Sequence, residues 1–249
     1  MQLLVSVRGP REARAALIGG ADVIDAKDPR RGSLGAVSPV LLAAIRRTVG
    51  SSRPVTAALG DAVTEQAVAH RARTAARHGV AFVKVGFAGV ASEARARRLA
   101  AAACRADARV VVVAYADWER VGSLPPQRLV AVAVQVGAAG VLIDTARKPA
   151  PLFALASRDV VGAWVAAAHE AGLFTALAGS LTDSDVATAR ELGADVMGVR
   201  GAACTGGRLG RVSPERVATL VALTRATSGM PVGGPPAPAA PRVPALLLA

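Results

Sequence analysis

The stretch Gln135-Val136-Gly137-Ala138-Ala139-Gly140-Val141-Leu142-Ile143-Asp144 ends an alanine- and valine-rich helical pattern on a glycine and passes at once into a short apolar run. A glycine at that point supplies the left-handed backbone that terminates a helix. The run that follows is what a strand covered on both faces requires. Similar joints stand at His78-Gly79, Ala171-Gly172 and Leu192-Gly193, and Gly193-Ala194-Asp195-Val196 repeats the same wording. One supersecondary unit is therefore being used many times.

Working outward from that unit, strands are predicted at 2–7, 22–26, 55–59, 82–85, 110–114, 140–144, 174–178 and 195–200. Helical periodicity occupies 10–19, 39–49, 64–78, 92–106, 126–136, 159–171, 183–192 and 214–227. Eight alternating pairs fit a closed (β/α)8 TIM barrel of the α/β class. An open doubly wound sheet has fewer strands and an early glycine-rich dinucleotide turn. The 249 residues suit one such domain, here 1–227. Hydrophobic residues are 52% of the chain and aromatics only 3%, so the core is expected to be built from Ala, Val and Leu. From Ser228 onward the Pro-, Gly- and Ala-rich sequence reads as a disordered tail, 228–249.

The net charge of +12 raises the possibility of a nucleic-acid partner. Its distribution argues otherwise: Arg46, Arg47, Arg71, Arg73, Arg77, Arg95, Arg97 and Arg98 fall on separate helices without interleaved aromatics. No nucleic acid and no membrane are expected as partners, since no apolar run approaches the roughly 18 residues of a span. Met1 to Val7 already reads as a strand, which points to a cytoplasmic protein. Cys104 and Cys204 lack metal-ligand spacing. Apolar outer helix surface near 130–136 leaves room for a homo-oligomer.

In a barrel of this kind, chemistry sits where strands end and βα loops begin. Only three of 30 basic residues are lysine, and Lys27, Lys84 and Lys148 each lie in or just beyond a predicted strand. Arginine substitutes for a lysine that carries surface charge but not for one that forms a Schiff base or gives up a proton near neutrality. Grouped amines are expected to depress one another's pKa, which would make one of them a nucleophile. Asp25, Asp61, Asp117 and Asp144 sit on the same rim as proton carriers, ion-pair partners or loop caps. The loops after the last two strands, Ala178-Gly179-Ser180 and Arg200-Gly201-Ala202-Ala203-Cys204, have the glycines and donors of a phosphate site. Gly179, Ser180, Arg200, Gly201 and Ala202 are its candidates. His70, His78 and His169 fall on helices, and Cys204 has no histidine near it in sequence, so neither residue type reads as the reactive centre.

The segment Asp25-Ala26-Lys27-Asp28-Pro29-Arg30-Arg31-Gly32-Ser33-Leu34-Gly35-Ala36 resembles the (5-formylfuran-3-yl)methyl phosphate synthase family, which makes the furan precursor of methanofuran. The likeness continues through Phe82-Val83-Lys84-Val85-Gly86, Ala114-Tyr115-Ala116-Asp117, Ile143-Asp144-Thr145-Ala146, Ala176-Leu177-Ala178-Gly179-Ser180 and Val199-Arg200-Gly201-Ala202-Ala203-Cys204. The resemblance implies condensation of two glyceraldehyde 3-phosphate molecules, with Lys27 forming the Schiff base and Lys84 accepting a proton. It places Asp25, Asp144 and Lys148 as supporting groups, and it implies neither metal nor redox cofactor. The apolar stretch 149–156 is unexpected beside such a site. Another class I aldolase-like enzyme of triose phosphates shares the same lysine and phosphate features.

Overall fold

The computed structural model describes residues 1–106, 108–147 and 150–226. The expected tail, 228–249, and Lys148 lie outside the described residues. Eight parallel strands close into a barrel in sequence order: β1 Gln2–Val7, β2 Val23–Ala26, β3 Val55–Asp61, β4 Phe82–Gly86, β5 Val110–Tyr115, β6 Gly140–Asp144, β7 Phe174–Leu177 and β8 Val196–Val199. Closure is made by β8 on β1, with Gln2 opposite Val196 and Val5 opposite Val199. Outside run α1 Pro10–Ile18, α2 Pro39–Val49, α3 Glu65–Arg77, α4 Glu93–Cys104, α5 Pro126–Gln135, a one-turn α6 Leu152–Leu155, α7 Arg158–Glu170, α8 Val186–Glu191 and α9 Pro214–Arg225. The expected (β/α)8 barrel is the observed fold. Gly137 ends α5 at φ +67°, the left-handed conformation that its place in the sequence calls for.

Alternation along the strands divides the core in two. Outward residues such as Val5, Ile24, Val83, Val112 and Ile143 pack against the helices, where the buried alanines Ala96, Ala100 and Ala103 let α4 lie close to the sheet. Inward residues form a second cluster along the axis. Phe82 and Phe174 close it in an edge-to-face contact with ring centroids 5.0 Å apart. The Arg109 guanidinium stacks 4.3 Å above the Phe82 ring.

Several short elements have no counterpart in the sequence reading, among them the 3-10 turns Pro29–Arg31 and Trp118–Val121, the helix α6, and an antiparallel hairpin after β8 formed by β9 Cys204–Thr205 and β10 Arg211–Val212. Two-residue strands and a single helical turn are too short to show a periodicity. Among the described residues no helix is long and apolar enough to cross a membrane.

Candidate active site

The period of two on each strand determines which side chains reach the axis. On β2, Val23 and Asp25 point inward, and Lys27 continues the same row one residue past the strand end. Lys84 stands two residues after the inward Phe82, and Asp144 two after the inward Leu142. Strand register brings Ser6 opposite Asp25 and Asp25 opposite Thr56.

These positions converge on the Asp25 carboxylate, which is fully buried. It accepts hydrogen bonds from Ser6 Oγ and Thr56 Oγ1, each at 2.9 Å, and pairs with Lys84 Nζ at 2.6 Å. Burial alone would raise the Asp25 pKa, but the charges of Lys84 and Lys27, with the hydrogen bonds from Lys84 and Thr56, outweigh it and hold the carboxyl below its ordinary value. Lys84 is also buried, and burial leads in lowering its pKa; the Lys27 charge adds to the effect against the opposing pull of Asp25 and Asp144. One neighbouring cation thus stabilises the carboxylate and destabilises the ammonium. Lys27 itself is half-exposed at the lip, and its amine has no hydrogen-bond or ion-pair partner among the described residues. Asp144 is buried on the same wall, its Oδ1 accepting the Thr145 N–H at 2.7 Å.

Lys27, Lys84 and Asp144 line a cavity of about 270 Å³ whose other side is made by residues 178–182 and 199–202. Gly179 has φ +109°, and a Cβ there would lie 2.9 Å from Thr145 Cγ2. Ser180 is the only non-glycine residue with positive φ among the described residues, at +55°. The backbone N–H groups of Gly179, Ser180, Gly201 and Ala202 have no protein acceptor among the described residues. Backbone N–H groups left without a protein acceptor are the kind of donor an anion-binding loop uses, and all four residues line this cavity. The unexpected apolar stretch supports it: α6 begins on buried Leu152, whose N–H donates to Gly179 O at 2.9 Å.

Arg200 serves a different end from the phosphate contact expected of it. Its five N–H groups are all taken: Nε by Arg208 O, Nη1 by Ser6 O and Glu12 Oε2, and Nη2 by Glu12 Oε1 and Gly210 O. Glu12 also accepts from Arg8. Burial would raise the Glu12 pKa, but the hydrogen bonds from the two arginines keep it below its ordinary value. Arg208 lines the same cavity from further along this segment.

Beyond the buried Leu34 lies a larger adjoining cavity of about 730 Å³, reaching Ser33, Asp61, Arg71 and Arg147. Asp61 accepts from Tyr115 Oη at 2.7 Å and from the Ala88 N–H at 3.0 Å. Asp117 accepts the N–H groups of Ala146 and Arg147 at 2.7 and 2.9 Å, as a cap on the loop that follows β6.

The chain matches the 4-HFC-P synthase family over residues 3–221. It belongs to that family. A (5-formylfuran-3-yl)methyl phosphate synthase from Methanopyrus kandleri is 42% identical over 214 residues, spanning 83% of this chain and 90% of the relative. The synthase of the same name from Methanocaldococcus jannaschii is 38% identical over 235 residues, 90% of this chain and 100% of the relative. Among solved structures, a 3-hexulose-6-phosphate synthase superimposes with a TM-score of 0.56 at 20% identity, covering 88% of this chain and 99% of that one. At that identity the likeness speaks for the barrel fold alone.

In this family member the structure brings Asp25, Lys27, Lys84 and Asp144 together with Gly179, Ser180, Gly201 and Ala202 around one cavity. Sequence reasoning missed Ser6, Thr56, Glu12 and Arg208. Ser6 and Thr56 carried a usable signal, being polar residues at inward positions of otherwise apolar strands. Arg208 carried none, because its acceptors are 179 and 176 residues away, and Glu12 showed only its neighbour Arg8, since Arg200 is 188 residues away. His169 bonds Asp195 at 2.8 Å, and burial raises the Cys204 thiol pKa; both fit structural rather than reactive roles.

Proposed function

We propose that this enzyme joins two molecules of glyceraldehyde 3-phosphate into (5-formylfuran-3-yl)methyl phosphate, a lyase-type reaction carried through a Schiff base on Lys27. The observation that carries the reading is the Lys27 amine, without a partner among the described residues, at the lip beside the buried Asp25–Lys84 pair and opposite a concavity of free N–H groups.

The chemistry follows from those positions. Lys27 adds to the aldehyde and loses water to give an iminium, which acidifies the neighbouring C2–H. Lys84, whose surroundings favour the neutral amine, takes that proton. The electron pair released expels the phosphate from C3, and the remaining three-carbon piece forms a carbon–carbon bond with the second triose. Ring closure, dehydration and release of Lys27 leave the furan aldehyde. In sum, two trioses lose one phosphate and two waters. Ser6 and Thr56 fix the Asp25 carboxylate that orients Lys84. Asp144 and Lys148 assist proton movement, and the 179–180 and 201–202 loops hold the phosphate that is kept. The adjoining cavity gives the second triose an approach. None of these steps calls for a metal or a redox cofactor.

Incubation with glyceraldehyde 3-phosphate, following released phosphate and product mass, tests the reading. The expected result is one phosphate per furan aldehyde phosphate, abolished in Lys27→Arg, with borohydride fixing a triose fragment on Lys27 of the wild type. Phosphate release without the furan would assign another lysine-based triose-phosphate reaction instead.

A further inference from the structure

Arg208 is a cation in the cavity wall that the reaction scheme leaves without a task. It sits in the hairpin loop between β9 and β10, and its side chain crosses the mouth to the loop after β2. There Nη1 donates to Pro29 O and Nη2 to Gly32 O, both at 2.8 Å. A guanidinium has five N–H groups. Nε–H and the second N–H on each Nη therefore have no protein acceptor among the described residues, and no carboxylate there forms an ion pair with it. It is half-buried and shares the cavity with Lys27, Lys84 and the 179–182 and 200–202 loops.

Its placement is held from behind. Arg200 Nε donates to the Arg208 carbonyl at 3.0 Å, and Arg200 Nη2 and Arg8 Nη2 donate to Gly210 O at 3.0 and 3.1 Å. Glu12 lies between those two arginines and fixes both. Three buried or half-buried charged residues thus set the backbone of one loop, and that loop presents one cation to the cavity.

We propose that Arg208 is the side chain that binds the substrate's phosphate monoester, closing over an anion seated on the N–H groups of Gly179, Ser180, Gly201 and Ala202. The geometry suits arginine in particular: a planar fork holds two carbonyls with one edge and keeps donors for a phosphate, which a lysine ammonium cannot do. The two carbonyls belong to the loop that starts at Lys27, so the same guanidinium ties anion binding to the position of the amine. The identity of the phosphate ester rests on the triose-phosphate reading, whereas anion binding itself does not.

The test measures binding of inorganic phosphate to the full chain by titration calorimetry and by thermal shift, in wild type, Arg208→Met, Arg208→Lys and Lys27→Arg. Removing a charge-assisted hydrogen bond from a half-buried site weakens binding about tenfold or more. The expected pattern is at least a tenfold rise in the phosphate Kd for Arg208→Met, an intermediate value for Arg208→Lys, and little change for Lys27→Arg. In turnover, the preference for glyceraldehyde 3-phosphate over glyceraldehyde falls by a similar factor in Arg208→Met. If circular dichroism shows that Arg208→Met does not fold, Arg208→Gln, which keeps donors for a carbonyl without the charge, takes its place. Phosphate binding within twofold of wild type in the folded neutral variant would overturn the assignment. Failure of the wild type to make a furan would sink the triose reading while leaving the phosphate measurement decisive for Arg208.

Discussion

Lys84 has its proton held by one carboxylate and loosened by burial and by Lys27, and this sets how the reaction should respond to pH. In the proposed role of base it would work in the neutral form, so kcat/KM should rise with pH and begin to do so below the range of an ordinary lysine, about 10.4. Asp25→Asn removes the anion that favours the ammonium. The rising limb should then move to lower pH while the plateau falls about tenfold or more, as read from a pH–rate profile; an unmoved limb would remove Lys84 from the role of base. Gly179→Ala meets both a backbone angle of +109° and a clash with Thr145, so a cost of about 1–3 kcal/mol in urea unfolding is expected, together with a raised KM. At this scale the sequence showed which amines to examine, because lysine is scarce and each one lies in or just beyond a predicted strand. It did not show that Asp25 is held by Ser6 and Thr56, which lie 19 and 31 residues away and meet it only through strand register.

The β9–β10 hairpin has little of its own to hold it, since its two strands are two residues each. Its anchor is the Glu12 carboxylate on α1, gripping Arg200 and Arg8, which in turn hold the carbonyls of residues 208–210. Glu12→Gln leaves two arginines short of their counter-charge and should cost about 3 kcal/mol, measured as a lower urea midpoint. The Glu12 pKa is lowered in the folded chain, so its contribution is complete above the ordinary glutamate value of 4.5 and is lost as pH falls through the folded value. Amide exchange in residues 204–212 should therefore quicken on acidification before that of the barrel strands; simultaneous loss would show that Glu12 does not hold the hairpin separately. The long helices and strands were legible because their periods repeat over many residues. This hairpin and α6 were not, because each is fixed by partners outside itself.

Over the whole molecule, the proposed site and the aromatic core stand apart along the barrel axis. Phe82 and Phe174 fill the axis at the opposite end from the mouth, so Phe82→Ala should cost about 3–5 kcal/mol of stability by urea unfolding while changing kcat little. The net charge of +12 should attract phosphorylated substrates from a distance, so kcat/KM is expected to fall as ionic strength rises while kcat holds nearly steady. The sequence by itself determined the barrel, since alternating periods of 2 and 3.6 with glycine at several of the joints admit little else, and it put lysines in or just beyond strands and glycines after them, where a barrel gathers them. Tertiary structure alone decided which charge meets which. Arg200 and Arg208 stand eight residues apart on either side of β9, and nothing in their local sequence distinguishes them. Closure of β8 on β1 brings Glu12 beneath the first and the Lys27 loop across from the second, so one becomes a saturated internal support and the other keeps donors facing the cavity. Hydrogen bonding and ion pairing act over a few ångströms of space, and those ångströms were set by chain closure over nearly two hundred residues.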